Sequence, residues 1–221
     1  TFAGLGVAIY AMNRAEYPGP ALTLMAVFVV AGLGFLAMAL YMRQASLAGK
    51  LQMRDRLLDR IQWTGDEKVL DVGCGRGLLA IGAAKRLKKG RVTGIDIWSA
   101  EDLSGNTLEA ANANAKAEGV ADKVKIENGD ARKLTYGDKS FDVVVSSLVL
   151  HNIADGEERS FALSEMLRVL KPGGHIAIFD IRSGEYAAAL REAGANSVDD
   201  SDQSFLKLFG GRFVVGRKAA A

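Results

Sequence analysis

The feature that most constrains this chain is where its charges are missing. Of 28 Lys and Arg and 26 Asp and Glu side chains, only Arg14 and Glu16 precede Arg43. From Ala21 to Met42 no residue is charged, and most are Ala, Leu, Val, Phe, Met or Gly. At about 1.5 Å per helical residue, that run is long enough to cross a hydrocarbon layer of roughly 30 Å. A helix buried in a soluble core usually keeps a polar side, so the run is read as a transmembrane helix. Phe2–Met12 is a shorter apolar run, too short to span alone. The chain opens on Thr1 rather than Met, which leaves open whether preceding residues lengthen it. Glu16-Tyr17-Pro18-Gly19-Pro20 is expected to turn the chain between two helices, since Pro and Gly interrupt them. A cleavable signal does not fit, because the long run begins well inside the chain with no basic stretch directly before it.

Arg43, Lys50, Arg54, Arg56 and Arg60 follow the run, against Asp55 and Asp59. The positive-inside rule puts the rest of the chain on the cytoplasmic side of a membrane, with these cations drawn to anionic lipid head groups. A net charge of +2 carries no nucleic-acid footprint. One cysteine, Cys74, excludes an internal disulfide framework and a multi-cysteine zinc site. No other grouping looks like a ligand set, so no metal is expected. Gln44–Trp63 reads as an amphipathic helix with Leu47, Leu51, Leu58 and Ile61 on one face and Gly49 as its weak point. The organisation is therefore a membrane anchor over 1–42, a linker helix over 43–64 and a soluble domain over 65–221. Nothing here sets an oligomeric state.

From Lys68 onward, strand and helix patterns alternate. Strands are expected at Lys68–Val72, Arg91–Ile97, Val124–Glu127, Phe141–Ser147, His175–Ile181 and Arg212–Arg217. Val198-Asp199-Asp200 is a candidate partner for the last of these. Helices are expected at Leu78–Lys88, Thr107–Glu118, from Asp155 to Leu170, and Glu185–Ala193. Asp155 with Glu158 three residues on resembles a capping box, and Lys171-Pro172-Gly173-Gly174 is expected to stop that helix. Phe141–Ser147 is almost wholly apolar, as when both faces of a strand are buried. The alternation predicts a Rossmann-like, doubly wound α/β sheet of about seven strands, mostly parallel, with the last strand antiparallel.

In such a sheet ligands bind beyond the carboxyl ends of the strands. The first strand–helix junction reads Val69-Leu70-Asp71-Val72-Gly73-Cys74-Gly75-Arg76-Gly77. Glycines allow a tight turn and close approach of backbone to a ligand. The dinucleotide fingerprint needs a third glycine where Leu78 stands, and the charge of Asp71 would repel a pyrophosphate. A cationic ligand would be attracted instead.

Val69–Gly77 resembles the first motif of class I S-adenosylmethionine-dependent methyltransferases, and four further stretches resemble that family in order. These are Gly94-Ile95-Asp96-Ile97, Asn128-Gly129-Asp130-Ala131, Phe141-Asp142-Val143-Val144-Val145-Ser146-Ser147, and Leu167-Arg168-Val169-Leu170-Lys171-Pro172-Gly173-Gly174. The resemblance covers about Lys68–Ile181. It implies S-adenosyl-L-methionine as donor and S-adenosyl-L-homocysteine as product. It further implies Gly73 and Gly75 against the methionine part and Asp71 on its ammonium, directly or through water. Asp96 would hold the ribose hydroxyls, Ile97 would pack by the adenine, and Asp130 with the backbone of Ala131 would read the adenine edge. Ser146, one residue before the end of the strand beside the donor, is counted among the donor-binding residues.

Methyl transfer from a sulfonium depends mainly on in-line positioning, with a base required only for a protonated acceptor. His151 follows the fourth motif and is the candidate base or substrate-orienting group, because imidazole exchanges protons near neutral pH. The alternative is a loop histidine that only shapes the pocket. Cys74 fits a tight turn as a small side chain. His175 opens a buried strand, and Lys85, Arg86, Lys88 and Lys89 form a solvated helix end. Trp98–Asn106 delays the next helix and is either a lid anchored by Trp98 or a plain loop. The expected function is methylation of a small lipophilic acceptor at a membrane. The alternative is a tethered donor-binding sensor or scaffold without turnover.

Overall fold

A computed structural model of the chain describes residues 2–13, 18–99, 105–200 and 211–220. The chain divides into two compact units, Thr1–Gln52 and Met53–Ala221.

Two helices make up the apolar leader, α1 (Phe2–Asn13) and α2 (Pro18–Leu58). Glu16 and Tyr17 of the expected turn lie outside the described residues. Pro18, Gly19 and Pro20 open α2 instead of preceding it. Proline is tolerated in a first helical turn, where its missing N–H has no partner to lose. The expected span and linker helix are one unbroken helix, Gly49 included. It is long and apolar enough to cross a membrane. Many of its apolar side chains stand exposed, Val30 at 69% and Phe35 at 63%. Only part of the expected amphipathic face reaches a core. Leu47 and Leu51 are exposed, whereas Met53, Leu57, Leu58 and, just beyond the helix, Ile61 are buried. The helix stops short of Trp63 because the Trp63 indole N–H donates to the Leu58 carbonyl (2.8 Å).

The second unit is built on a seven-stranded sheet. Its strands are β1 (Lys68–Val72), β2 (Arg91–Asp96), β3 (Val124–Asn128), β4 (Phe141–Ser147), β5 (Leu170–Asp180), β6 (Ala195–Asp199) and β7 (Arg212–Lys218), in the order β3-β2-β1-β4-β5-β7-β6. β1 through β5 pair in parallel, and β7 runs antiparallel between β5 and β6. Alternate residues feed two cores. Leu70, Val72, Val144, Ile176 and Ile178 pack under α5 (Gly156–Val169) and α6 (Ser183–Glu192). Val69, Val143, Val145, Ala177 and Phe179 pack against α3 (Leu78–Ala84) and the end of α2. α4 (Leu108–Ala117) is capped by Thr107, whose hydroxyl accepts from Ala110 N (3.1 Å).

Departures from expectation have local causes. α3 ends at Ala84 instead of Lys88, because the N–H groups of Lys88, Lys89 and Gly90 all turn to the Gly65 carbonyl (2.7–3.0 Å). Asp155 caps α5 through Glu157 N and Glu158 N, but the Glu158 carboxylate pairs with Arg132 (2.8 Å). Lys171-Pro172-Gly173-Gly174 forms the irregular start of β5, where the register with β4 shifts. β2 and β5 each end one residue before the isoleucine expected to close them, on Asp96 and Asp180.

α3 also lacks a side-chain cap of its own, since Gly77 holds the N-cap position at φ +87°. Asp71 supplies one from β1, its Oδ2 accepting from Ala80 N (2.8 Å). The side chain is 1% exposed. Burial, opposed by the Ala80 N–H and reinforced by the charge of Asp96, pushes its carboxyl up to about 7.

Two predictions follow from this packing. Leu58→Ala empties a fully buried site and should cost about 2–5 kcal/mol, whereas Leu51→Ala at an exposed position should stay within about 0.5 kcal/mol. Denaturant titration of the full chain in detergent, followed by the fluorescence of its two tryptophans, measures both. Second, folded Asp71 keeps a proton that the unfolded carboxyl, near 3.8, has lost. That contribution is therefore full below about pH 4 and disappears as pH rises towards about 7. Asp71→Asn keeps an acceptor for Ala80 N and should remove the decline. Comparing variant with wild type isolates Asp71 from His175, whose lowered pKa acts in the opposite direction. Parallel stability–pH curves for the two proteins would exclude the protonated carboxyl.

Candidate functional site

The carboxyl ends of the parallel strands form one edge, and the chain reverses its direction of travel across the sheet between neighbouring β1 and β4. This switch point opens a crevice. On the β1 side lies the glycine turn. Gly73 N and Cys74 N both donate to the Ile95 carbonyl (2.8 and 2.9 Å), so the turn is docked on β2. Gly73, Gly75 and Gly77 have φ of +70°, +53° and +87°, a region that side chains other than glycine rarely enter. At Gly73 a Cβ would also run into the Val149 side chain, from the turn after β4. The bare backbone of Gly73 is thus what lets the two sides of the crevice touch.

Asp96 ends β2 and is 8% exposed. Its Oδ2 accepts from Gly75 N (2.8 Å), and its Oδ1 from Trp98 N (2.7 Å) and Asn106 Nδ2 (3.0 Å). The carboxylate therefore shapes the glycine turn and stands beside it at the binding edge. Ile97, next in the chain, is 60% exposed. Trp98 takes φ +61°, and its indole N–H donates to Asn128 Oδ1 at the end of β3 (2.7 Å). Residues 100–104 of the intervening stretch lie outside the described residues. Asp130 lies beyond β3 and is gripped by Arg132 through Nε and Nη2 (2.7–3.1 Å), which holds its carboxyl below the ordinary value. Ala131 beside it is buried. Ser146 is also buried, and its hydroxyl donates to the Val72 carbonyl (2.9 Å). That hydroxyl ties β4 to β1 at the edge and does not face outward.

Across the crevice, the turn after β4 carries a short 3₁₀ helix, Leu150–Asn152. It is held by Asp180, the last residue of β5, which is fully buried. Asp180 Oδ2 accepts from the backbone N–H groups of Val149, Leu150 and His151 (3.2, 3.1 and 3.4 Å). Its Oδ1 lies 2.9 Å from His151 Nδ1. A carboxylate only accepts, so Nδ1 carries the proton and Nε2 presents a lone pair. The Asp180 carboxylate thus fixes the orientation of the His151 ring. Asp180 was not among the expected site residues, although an acid at a strand's carboxyl end is the same signal that marks Asp96. Leu148 at φ +56° and Ile181 flank this pair, 41% and 48% exposed. An apolar side chain held at positive φ beside such a site is backbone strain at a candidate functional position.

Other singled-out residues take structural places. Cys74 is buried, and burial together with Asp71 and Asp96 pushes its thiol far up, away from nucleophilic use. His175 lies in β5 opposite Val143, away from the carboxyl edge. Lys85 pairs with Glu118, and Arg86 with Asp59. Of the basic cluster after the apolar run, Arg54 pairs with Asp55, while Arg60 pairs with Asp199 and lies over the Phe213 ring. Among the described residues no group of three or more His, Cys, Asp or Glu is placed to hold a metal.

Comparison with known proteins agrees with this geometry. Residues 70–178 match the family model described as a methyltransferase domain. The methyltransferase GfsG of Streptomyces halstedii is 36% identical over 130 residues, 59% of this chain and 43% of that protein. The demethylmenaquinone methyltransferase of Lactobacillus johnsonii is 29% identical over 136 residues, 61% and 52% of the two chains. The chain thus spans about half the length of these curated relatives. The Haemonchus contortus phosphoethanolamine N-methyltransferase 2, solved with S-adenosylhomocysteine, shares the fold at TM-score 0.60 and 18% identity, covering 76% of this chain and 52% of its own. With its sheet order, its glycine turn on β1 and its carboxylate on β2, the chain carries over residues 70–178 a methyltransferase domain of the class I S-adenosylmethionine-dependent kind.

Proposed function

We propose that this chain is a membrane-anchored enzyme that transfers the methyl group of S-adenosyl-L-methionine to a small lipophilic acceptor. The observation that carries this reading is the pairing, across one switch point, of a glycine cradle with a carboxylate-oriented histidine, joined where Val149 rests on Gly73. The residues present fit the donor. The turn at Gly73 and Gly75 offers bare backbone to the methionine part, Asp96 offers a carboxylate to the ribose, and exposed Ile97 offers an apolar surface to the adenine. Asp130 and the backbone of Ala131 would read the adenine edge, with the Asp130 carboxylate shared with Arg132. Asp71, its buried carboxyl held up to about 7 and bonded to Ala80 N, would give up its proton as the donor's ammonium arrives.

When bound, the donor supplies an electrophilic methyl group on a good leaving group. The protein's task is to hold the acceptor in line and, for a hydroxyl or similar acceptor, to take its proton. His151 Nε2 accepts that proton, and Asp180 stabilises the resulting imidazolium at Nδ1. Leu148 and Ile181 give the acceptor side an apolar rim. The lipophilic acceptor is supported by this rim and by the leader, whose exposed apolar surface is of the kind that marks lipid contact. A relative named for demethylmenaquinone is consistent with an acceptor that partitions into membranes. The cations after the apolar run orient the domain towards the cytoplasm.

The test is to incubate the full chain in liposomes with methyl-labelled donor and a bacterial lipid extract. An organic-soluble labelled product, identified by mass spectrometry, is expected. Donor binding with no labelled product from any acceptor library would leave a binding module without turnover. His151→Ala should leave donor affinity unchanged in calorimetry and lower turnover by about 10²–10⁴-fold, with Asp180→Asn lowering it in the same direction. Normal turnover of His151→Ala across the whole pH range would reduce the pair to a structural one.

A further inference from the structure

Asp180 anchors the turn between β4 and α5 at its start, and that hold weakens along the turn. Asp180 Oδ2 lies 3.2 and 3.1 Å from the backbone nitrogens of Val149 and Leu150, but 3.4 Å from that of His151. The backbone of His151 is thus the last and least firmly held of the three. A second anchor grips the far end. Arg159 of α5 reaches back, and its Nη1 donates to the carbonyls of Ile153 (2.6 Å) and Ala154 (2.8 Å). These two residues lie between the 3₁₀ helix and Asp155, the cap of α5.

The Arg159 side chain is only 12% exposed. Taking a guanidinium out of water is costly unless its N–H groups find partners, and the two carbonyls supply them. Its other contact runs from Nη2 to Glu185 in the first turn of α6, at 3.7 Å and with a carboxylate that is 62% exposed. An exposed ion pair of that kind contributes little, so the guanidinium is placed for the turn and not for Glu185. With an acid at the N–H end and a cation at the carbonyl end, the 3₁₀ segment is also matched to its own dipole. We propose that Arg159 is a positioning residue for methyl transfer. By pinning Ile153 and Ala154 it fixes the exit of the turn, and through it the place of His151 at the crevice. Asp180 sets the direction of the imidazole ring, and Arg159 sets where the backbone that carries it stands. This rests on the proposed action of His151 on the acceptor.

The test uses the full chain in detergent micelles, with isotopically labelled histidine read by nitrogen NMR. The chain has two histidines, so His175, in β5 and away from the carboxyl edge, serves as the internal reference, and His175→Gln assigns the signals. Wild type should show one His151 tautomer, protonated at Nδ1. Arg159→Met keeps most of the side-chain length and removes both carbonyl bonds. It should leave S-adenosylhomocysteine affinity unchanged in calorimetry, and it should shift or mix the His151 tautomers while His175 stays in place. Turnover of labelled donor with lipid extract should fall by about 10–100-fold. Arg159→Lys keeps the charge without the planar fork and should fall between wild type and Arg159→Met in both readouts. If the His151 signals of Arg159→Met coincide with those of wild type, even in a variant that melts earlier, the residue only stabilises α5 and the proposal is overturned. It is overturned as well if donor affinity falls in step with turnover, which marks a general loss of structure. A wild type that binds S-adenosylhomocysteine yet labels no acceptor would instead remove the enzymatic reading on which the proposal stands, whatever the histidine spectra show.

Discussion

The contact between Gly73 and Val149 is the constraint on which the site depends. β1 and β4 are neighbours in the sheet, so the turns that leave them compete for the same volume at the carboxyl edge. A side chain at Gly73 would occupy the place of Val149. Its absence lets the β4 turn close onto the glycine turn, and Asp180 then holds that β4 turn through three backbone N–H groups. The position of His151 relative to the cradle is therefore set by backbone packing and a buried carboxylate, with little left to side-chain freedom. Such rigidity is what an in-line displacement requires, because small misplacements of the reacting groups are costly in rate.

Much of this edge was legible in the sequence. Lys68–Val72 and Phe141–Ser147 fold over the residues expected, because a continuous apolar run bounded by glycine, serine or aspartate has few alternatives in a buried parallel sheet. Asp96 was visible through the stretch Gly94-Ile95-Asp96-Ile97 that contains it. Asp180 was hidden by the same logic applied one residue too far: Ile181 seemed to extend the strand, so the acid looked internal to it. Ile97 had the same effect after β2 without obscuring Asp96, whose surrounding motif drew attention to it.

The leader shows a different limit. The change from apolar to charged residues at Arg43 suggests a boundary, yet the backbone passes through it as one helix. Composition reports which solvent a segment meets, whereas helix continuity depends on backbone hydrogen bonds that neither Arg43 nor Gly49 interrupts. The side on which α2 is buried also changes identity along its length. Leu47 and Leu51 belong to the exposed apolar surface, whereas Leu57 and Leu58 belong to the core beside α3. A single amphipathic face drawn from Leu47 to Ile61 merges these two environments.

The cradle carries a further tension, between Asp71 and Asp96, two acids on adjacent parallel strands and both nearly excluded from water. The charge of Asp96 adds to the cost of ionising Asp71. The fold resolves this by treating them differently. Asp96 receives three N–H donors from the turn and the segment after β2, whereas Asp71 receives one and is held well above the ordinary carboxylate range. One acid is thereby supplied with the hydrogen bonds that suit an anion, while the other is left responsive to whatever charge arrives. A ligand carrying an ammonium near Asp71 and hydroxyls near Asp96 would meet both conditions at once. A pyrophosphate would meet neither, so the division of donors between two side chains supports the proposed sulfonium nucleoside over a dinucleotide.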